Sequence, residues 1–452
     1  MIILLYLLTT IVFIILATAK YKIHPFLTLL TASLMMGFMG GLESDIILKT
    51  LSEGFGNTLK SIGVIIACGS IIGTYLEKTG SAKSIADRLL NITGNNNSPL
   101  AMNLTGSIVS IPVFCDSGFV ILSTLNNAIN KKTKISLAVL GTSLAAGLYA
   151  THVFVPPTPG PLAAASIIGA DVGLVLIFGL IVAIPVSLVG WLWATYYCSQ
   201  YSINQKPNEE TLSTDEKQNP NILLAILPIL IPILLITLKS LVEHPSVNLE
   251  SLILGDIISF LGHPITAILL GVFISMLLPN KISKEQSFNW VSTALESAGG
   301  IILITGAGGS FGNVLRKTSL GDVIGQELIG FEIGILLPFI IAAFLKTAQG
   351  SSTVSIITTS AMILPILDTL GLSSEMGRVL TVLSIGAGAM TVSHLNDSYF
   401  WIVSQFSNMN TKTALRCHTL STLFQGFTGI VIIKILSLLF VVLFKHHHNL
   451  YL

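Results

Sequence analysis

The stretch VFVPPTPGPL, Val153 to Leu162, lies inside a long apolar run and breaks it. Its four prolines and Gly160 cannot continue one α-helix, because each proline lacks a backbone donor and its ring clashes with the preceding turn. In a membrane, such broken backbone persists only where it is buried in protein or lines a wet cavity. With His152 directly before it, the stretch predicts a helix that crosses a membrane and unwinds at a binding site.

The composition supports a membrane setting. Of the 452 residues, 52% are hydrophobic and 10% are charged, whereas soluble domains carry roughly 25% charged residues. These proportions exclude a soluble enzyme and predict a lipid bilayer as the partner. The net charge of +1 gives no indication of a nucleic-acid partner. The four cysteines are scattered without metal or disulfide spacing, so we expect no metal site and no cofactor.

Three further polar breaks interrupt apolar segments. FCDSGF, Phe114 to Phe119, lies within residues 98–128, and KTAQGSST, Lys346 to Thr353, lies within residues 333–370. Basic residues flank the first of these segments on both sides, which is typical of a re-entrant hairpin that enters and leaves on one side. SHLNDS, Ser393 to Ser398, interrupts a later helix and predicts a second broken span.

The breaks recur because the chain contains two similar halves. GTYLEKTGS, Gly73 to Ser81, aligns with GNVLRKTSL, Gly312 to Leu320, at an offset of 239 residues. We therefore predict an all-α polytopic membrane protein with two inverted repeats, residues 1–198 and 222–452, joined by a polar cytoplasmic linker at 199–221. Each repeat is expected to have about five crossings, one re-entrant hairpin and one broken helix. The predicted crossings are Met1–Ala19, Pro25–Gly41, Lys60–Glu77, Ile135–Gly169 and Val172–Tyr197, then Ile222–Leu241, His263–Leu278, Gly299–Leu315, Val379–Met409 and Thr422–Phe444.

The orientation follows from the basic residues. An odd number of crossings per repeat gives the two repeats opposite orientations. Lysine and arginine favour the cytoplasmic side of a membrane. They are more frequent in the inner segments when the N-terminus is placed outside the cell, so we predict that orientation. Inverted repeats bring one hairpin in from each face, and the four breaks should then meet near the middle of the membrane.

The four breaks together suit a small, polar, anionic solute. A helix that starts at a break leaves backbone N–H groups without partners, and these attract anions. Hydroxyls, amides and closely approachable glycines lie at the breaks. The candidate solute-binding residues are Ser117, Gly118, Thr158, Gly160, Gln349, Gly350, Ser351, Ser352, Thr353, Asn396 and Ser398.

Four ionisable residues also lie at the breaks: Asp116, His152, His394 and Asp397. A charged group at membrane depth is costly and is a functional candidate by default. Each of these groups can bind and release a proton together with the solute, which makes proton coupling the favoured interpretation. The alternative is that Asp116 and Asp397 only cap helix starts. A fifth ionisable residue, Lys346, lies beside the second hairpin tip.

Five motifs extend over nearly the whole chain. They are PVFCDSGFVIL (Pro112–Leu122), VPPTPGPLAAA (Val155–Ala165), GAGGSFGNVL (Gly306–Leu315), KTAQGSSTVSIITT (Lys346–Thr359) and HLNDSYFWIVSQF (His394–Phe406). In this order they resemble the gluconate permease family, the gluconate:proton symporters of the ion-transporter-type inverted-repeat superfamily. The resemblance implies a multi-pass protein of the bacterial inner membrane. The N-terminus that the basic residues place outside would then lie in the periplasm. The resemblance also implies import of gluconate or a related sugar acid by proton symport, with a scaffold part, a moving transport part and a homodimer.

Other functions stay open from the residues alone. The same motifs occur in branches of the resembled family that carry glycerate-like acids or D-serine, a zwitterion. Hairpin carbonyls and side-chain oxygens could instead hold Na⁺ in a sodium-coupled carboxylate carrier. A channel would not accumulate solute. A membrane enzyme would need a nucleophile, a base and an orienting group, and the sequence offers no such set.

Overall fold

The computed structural model describes residues 2–94, 97–204, 221–242, 253–279, 282–318, 334–395 and 397–448. Within these ranges the backbone forms helices and their connections and contains no strand, which confirms the all-α class. Most of the predicted linker, residues 205–220, lies outside the described ranges. The division into residues 1–198 and 222–452 therefore stays a prediction.

The helices of each half follow in order along the chain. The first half contains α1 (Ile2–Ile15), α2 (Pro25–Met39), α3 (Ser44–Lys78), α4 (Ser81–Thr93), α5 (Ser98–Val109), α6 (Cys115–Thr133), α7 (Leu137–Phe154), α8 (Pro159–Ile168) and α9 (Val172–Tyr196). The second contains α10 (Ile222–Val242), α11 (Ile253–Leu261), α12 (Pro264–Met276), α13 (Lys284–Lys317), α14 (Leu336–Gln349), α15 (Ser352–Ile363), α16 (Glu375–Met390), α17 (Ser398–Phe406), α18 (Thr411–Ala414) and α19 (Leu420–His448). A π-helical turn, Leu415–Thr419, joins α18 to α19.

The element order recurs at the offset that the sequence predicts. Helices α2 and α12 start 239 residues apart, as do α8 and α17, and α9 and α18. The first of these pairs begins with the same device in both halves. His24 and His263 are N-caps whose ring nitrogens accept from the backbone N–H two residues later at 3.3 Å, and a proline occupies the first helical position. Proline is favoured there because its missing N–H would have no partner anyway.

Two predicted helix starts were wrong. The third crossings were expected at Lys60–Glu77 and Gly299–Leu315, but α3 begins at Ser44 and α13 at Lys284. The polar turns before each apolar run are helical as well. Helix α13 starts with a capping box, in which the side chains of Ser283 and Gln286 each accept from the other's backbone N–H. Such a box stabilises a helix start without apolar residues.

Several helices could cross a membrane. Among the described residues, five are long and apolar enough, or up to seven if each of two bent pairs is one span. Helices α1 and α2 have 14 and 15 residues, fewer than the roughly 20 that span a bilayer. The protein is therefore a multi-pass membrane protein, while five crossings per half, the re-entrant hairpins and the homodimer stay predictions.

Helices α3 and α13 form an extensive interface, which centres on two glycines. Gly54 and Gly309 face each other, and a methyl group on Gly309 would overlap the Thr58 hydroxyl. The close approach lets the Ser310 hydroxyl donate to the carbonyl of Leu51 at 2.9 Å. Small residues at a helix crossing increase packing in a membrane, where the hydrophobic effect does not drive helices together.

We expect Gly309→Ala to destabilise the protein, because the added methyl group forces α3 and α13 apart. Overpacking of this kind costs about 1–3 kcal/mol. The matched control is Gly300→Ala in the same helix, where an added methyl group meets no atom within 4 Å. Thermal unfolding in detergent should show a lower Tm for the first variant and an unchanged or higher Tm for the second. Equal Tm values would contradict the close packing.

Candidate functional site

A cavity of about 280 Å³ lies where both hairpin segments and the second helix break meet. The first turns of α6 and α15 and the start of α17, together with side chains of α7 and α13, form its walls, so elements of both halves contribute. Eight predicted site residues line it: Asp116, Ser117, His152, Ser351, Ser352, Thr353, Asp397 and Ser398. The remaining lining side chains are Phe114, Cys115, Tyr149, Ser297, Ile301 and Tyr399.

The first hairpin segment presents an uncapped helix start to the cavity. The break lies at residues 110–114, and α6 begins at Cys115, so Asp116 and Ser117 belong to its first turn. No side chain caps this start, and the first intrahelical bond runs from the Gly118 N–H to the Phe114 carbonyl at 2.8 Å. The N–H groups before Gly118 have no partner within the helix. An anion in the cavity can accept from them.

The second hairpin segment turns more sharply. Gly350 ends α14 with φ of +85°, a conformation that glycine adopts without steric cost. Ser351 is the N-cap of α15, and its hydroxyl accepts from the Val354 N–H at 3.3 Å. Ser352 and Thr353 follow in the first turn, so three hydroxyls stand at this wall of the cavity.

A buried ion pair lies at the part of the site that the second half of the chain forms. The Lys346 ammonium lies 2.5 Å from a carboxylate oxygen of Asp397, and the two side chains are 1% and 6% exposed. The same ammonium donates to the Gly350 carbonyl at 2.7 Å. The other carboxylate oxygen of Asp397 accepts from the Tyr399 N–H at 3.1 Å and caps α17. Asp397 is thus a helix cap, as the alternative interpretation held, and also the partner of a buried cation.

Asp116 has a different environment from Asp397. One carboxylate oxygen accepts from the Ser398 hydroxyl at 3.3 Å, and the other accepts from the Cys115 thiol at 3.6 Å. Among the described residues no cation lies within ion-pair distance of Asp116. Among the described residues, the cavity therefore contains one aspartate that pairs with a cation, Asp397, and one that does not, Asp116.

Only one of the two predicted histidines faces the cavity. His152 is buried between the rings of Tyr149 and Phe114, with both centroids 6.5 Å away, and its Nδ1 has no hydrogen-bond partner in the described part of the chain. His394 instead contacts the Thr347 carbonyl through Nε2 at 3.0 Å, away from the cavity.

The other predicted solute-binding residues lie beside the cavity or outside the description. Thr158 donates to the Val155 carbonyl within its own break. Gly118 and Gly160 face Leu148 and Ile356, so they allow close packing. The Gly350 carbonyl contacts Lys346. Asn396 lies outside the described residues, and so does the side chain of Gln349.

Sequence reasoning missed several polar groups of the site. The sequence predicts that Lys346 lies beside the second hairpin tip but does not predict its contact with Asp397. A lysine inside an apolar helix is itself a signal of a functional site. Ser393 and His418 lie behind Asp397 and are buried, and Tyr149 and Tyr399 supply aromatic walls. His418 carried no local signal, because it precedes an apolar helix and meets Ser393 only through the fold.

We expect Lys346→Met to lower the free energy of unfolding by about 3–5 kcal/mol, because Asp397 becomes a buried charge without a partner. The double variant Lys346→Met/Asp397→Leu should recover most of this loss. The control is Lys78→Met, whose pair with Glu77 at 3.7 Å is 43% and 35% exposed. An exposed pair of that kind contributes about 0–1 kcal/mol. Chemical unfolding in detergent measures all three, and a loss no larger than that of the control would refute the buried pair.

The comparisons with known proteins agree with one another. The family model described as GntP family permease matches residues 1–439. A gluconate permease of Pseudomonas aeruginosa is 32% identical over 440 residues, which cover 95% of this chain and 96% of that protein. The D-serine transporter DsdX of Escherichia coli K12 is 32% identical over 424 residues, with coverage of 92% and 94%. An uncharacterized permease of Haemophilus influenzae is 36% identical over 418 residues, with coverage of 88% and 84%.

A solved structure shares the fold. The YdaH transporter of Alcanivorax borkumensis, described as having an unusual topology, superposes with a TM-score of 0.64. The superposition covers 87% of this chain and 89% of that chain at 15% sequence identity. At this identity the likeness concerns the fold alone.

Proposed function

The chain belongs to the GntP family of permeases, and on that premise we propose that it imports a small monocarboxylate across the bacterial inner membrane in symport with a proton. The relatives named for gluconate and D-serine indicate a transporter of small acids rather than an enzyme. Gluconate or another hydroxylated acid is the solute class we propose. The observation that carries the proposal is the cavity in which the uncapped start of α6 faces the hydroxyls of α15.

The cavity suits such a solute in size and chemistry. Its volume of about 280 Å³ is just below the roughly 300–1,000 Å³ of ligand pockets, which favours a small molecule. The solute carboxylate would accept from the free N–H groups of α6 at Cys115 to Ser117. Its hydroxyls would bond the side chains of Ser352, Thr353 and Ser398, which supply both donors and acceptors.

The charges of the site explain why a proton would accompany the solute. A monoanion at the start of α6 comes close to Asp116, and two like charges in a poorly solvated site repel each other. A proton on Asp116 removes one negative charge as the solute brings one, so the net charge of the site does not change on loading. Asp397 is ionised while the solute loads, because Lys346 balances its charge.

The test is uptake into proteoliposomes of purified protein. An inward proton gradient should drive labelled gluconate above equilibrium, and an uncoupler should abolish this accumulation. Unlabelled glycerate and D-serine, added as competitors, report the solute class. Preference for D-serine would move the solute to an amino acid and keep the mechanism. Accumulation that needs sodium and ignores the uncoupler would overturn proton symport.

We expect Asp116→Asn to lose proton-driven accumulation by about tenfold or more, because the amide cannot carry the proton. Exchange of labelled for unlabelled solute needs no net proton movement and should persist. The matched control is Asp45→Asn, an exposed carboxylate in the first turn of α3. Full accumulation by Asp116→Asn would remove Asp116 from the coupling step.

A further inference from the structure

Behind the cavity, a line of buried polar groups leads away from Asp397. The Ser393 hydroxyl donates to the Asp397 carboxylate at 2.5 Å, and His418 Nε2 lies 3.0 Å from the same hydroxyl oxygen. Ser393 is fully buried, and His418 is 1% exposed. Neither residue lines the cavity, so a bound solute does not touch them.

The directions of these hydrogen bonds follow from the number of protons. A serine hydroxyl has one proton, and Ser393 gives it to the ionised Asp397. His418 Nε2 must therefore be the donor in the second bond, so Nε2 carries a proton. The chain of donors thus points from His418 through Ser393 to Asp397.

The backbone holds Ser393 firmly in this line. Its N–H donates to the Thr422 hydroxyl at 3.0 Å, and its carbonyl accepts from the Thr419 hydroxyl at 2.5 Å. Val392, directly before it, has φ of +58°. This conformation is strained for a β-branched residue, and such strain clusters at functional sites. His418 lies in the π-helical turn Leu415–Thr419, a distortion that is also frequent at functional sites.

The other repeat shows that the fold does not require these polar groups. At positions 239 residues earlier, Phe154 and Gly179 replace Ser393 and His418. Gly179 packs so closely on the Phe154 carbonyl that a methyl group would not fit. In the first repeat the two segments thus meet through the Phe154 backbone carbonyl and a glycine, without a polar side chain. A buried hydroxyl and imidazole in the second repeat are therefore expected to serve function rather than packing.

From this geometry we infer that Ser393 and His418 form a proton relay between Asp397 and the Lys412–Arg416 segment that precedes the last helix. Arg416, two residues before His418, is exposed, and the basic residues predict that this end faces the cytoplasm. The charged groups near His418 are Asp397 and Lys346, and the rings of Tyr399 and Phe400 lie 5.4 and 6.3 Å from its ring. The proton then leaves the site by a route that the solute does not use.

The release step balances in protons. Asp397, protonated from the wet cavity that it shares with Asp116, donates to Ser393, and Ser393 donates to Nε2 of a His418 that carries its proton on Nδ1. Transfer along both bonds leaves an ionised Asp397, an intact serine hydroxyl and an imidazolium. Loss of the Nδ1 proton to water at the Lys412–Arg416 segment then gives the neutral Nε2–H imidazole, whose Nε2–H can donate to Ser393 as in the structure. No oxidant or other reactant is needed.

The relay rests on the proposed proton symport, and its test compares two kinds of transport. Ser393→Ala and His418→Gln should keep solute exchange within about twofold of wild type and lose proton-driven accumulation by about tenfold or more, since each removes a proton carrier. Ser393→Thr keeps the hydroxyl and should restore accumulation. The matched controls are Ser404→Ala, a buried serine that donates to the Met409 carbonyl, and His263→Gln, an exposed cap. Both controls should accumulate solute as wild type does.

Four results would overturn the relay. Accumulation at the wild-type level in both variants shows that protons do not pass through these groups. Parallel loss of exchange and accumulation, or failure of Ser393→Thr to restore accumulation, shows a structural role. Wild-type protein that exchanges the solute but ignores the proton gradient removes proton symport and the relay together. Wild-type protein that neither exchanges nor accumulates gluconate, glycerate or D-serine would instead reject the solute class and would leave no transport for the relay to couple.

Discussion

The ion pair between Lys346 and Asp397 holds the second half of the site together. Lys346 lies in the last turn of α14, where its ammonium neutralises the partial negative charge of a helix end and binds the Gly350 carbonyl. Asp397 lies at the start of α17 and accepts from that helix's backbone. This buried contact thus joins the end of α14 to the start of α17, the helix that follows the second break. Without it, two opposite charges would be buried without a counter-ion, so the shape of the cavity depends on this pair.

The two broken helices meet the same constraint in different ways. Backbone polar groups inside a membrane protein need partners. In the first half, prolines occupy the break, and a proline has no N–H to satisfy. Thr158 then donates to the Val155 carbonyl, and no charge is needed. In the second half, Asp397, Thr419 and Thr422 supply the partners, through the Tyr399 N–H and the backbone of Ser393. The second solution places a carboxylate and hydroxyls at the centre of the molecule, where they are available for chemistry.

The sequence predicts features that depend on neighbouring residues, but it does not predict contacts between residues far apart along the chain. Prolines and glycines act locally, so the breaks at Val153–Leu162 and Lys346–Thr353 could be predicted, and the recurring element order followed from the offset of 239 residues. The starts of α3 and α13 could not be predicted from hydropathy, because polar turns extend both helices. The contacts of Lys346 with Asp397 and of His418 with Ser393 join residues 51 and 25 positions apart. Nothing local encodes such contacts, which arise only when the helices pack.

The asymmetry between the repeats links fold to function. Among the described residues, helices α2, α3 and α5 to α9 have counterparts near the offset of 239 residues, and each half contributes a hairpin segment to the shared cavity. The polar groups are divided unequally: the first half supplies the uncapped start of α6 and the unbalanced Asp116, while the second supplies the ion pair and the buried line through Ser393 to His418. Where equivalent helices of a duplicated fold pack in the same way, residues that differ between equivalent positions are not required for packing. Such residues can therefore serve different functions in the two halves. On the proposed mechanism, the first half binds the solute anion and takes up the proton at Asp116, while the second half releases the proton through Ser393 and His418.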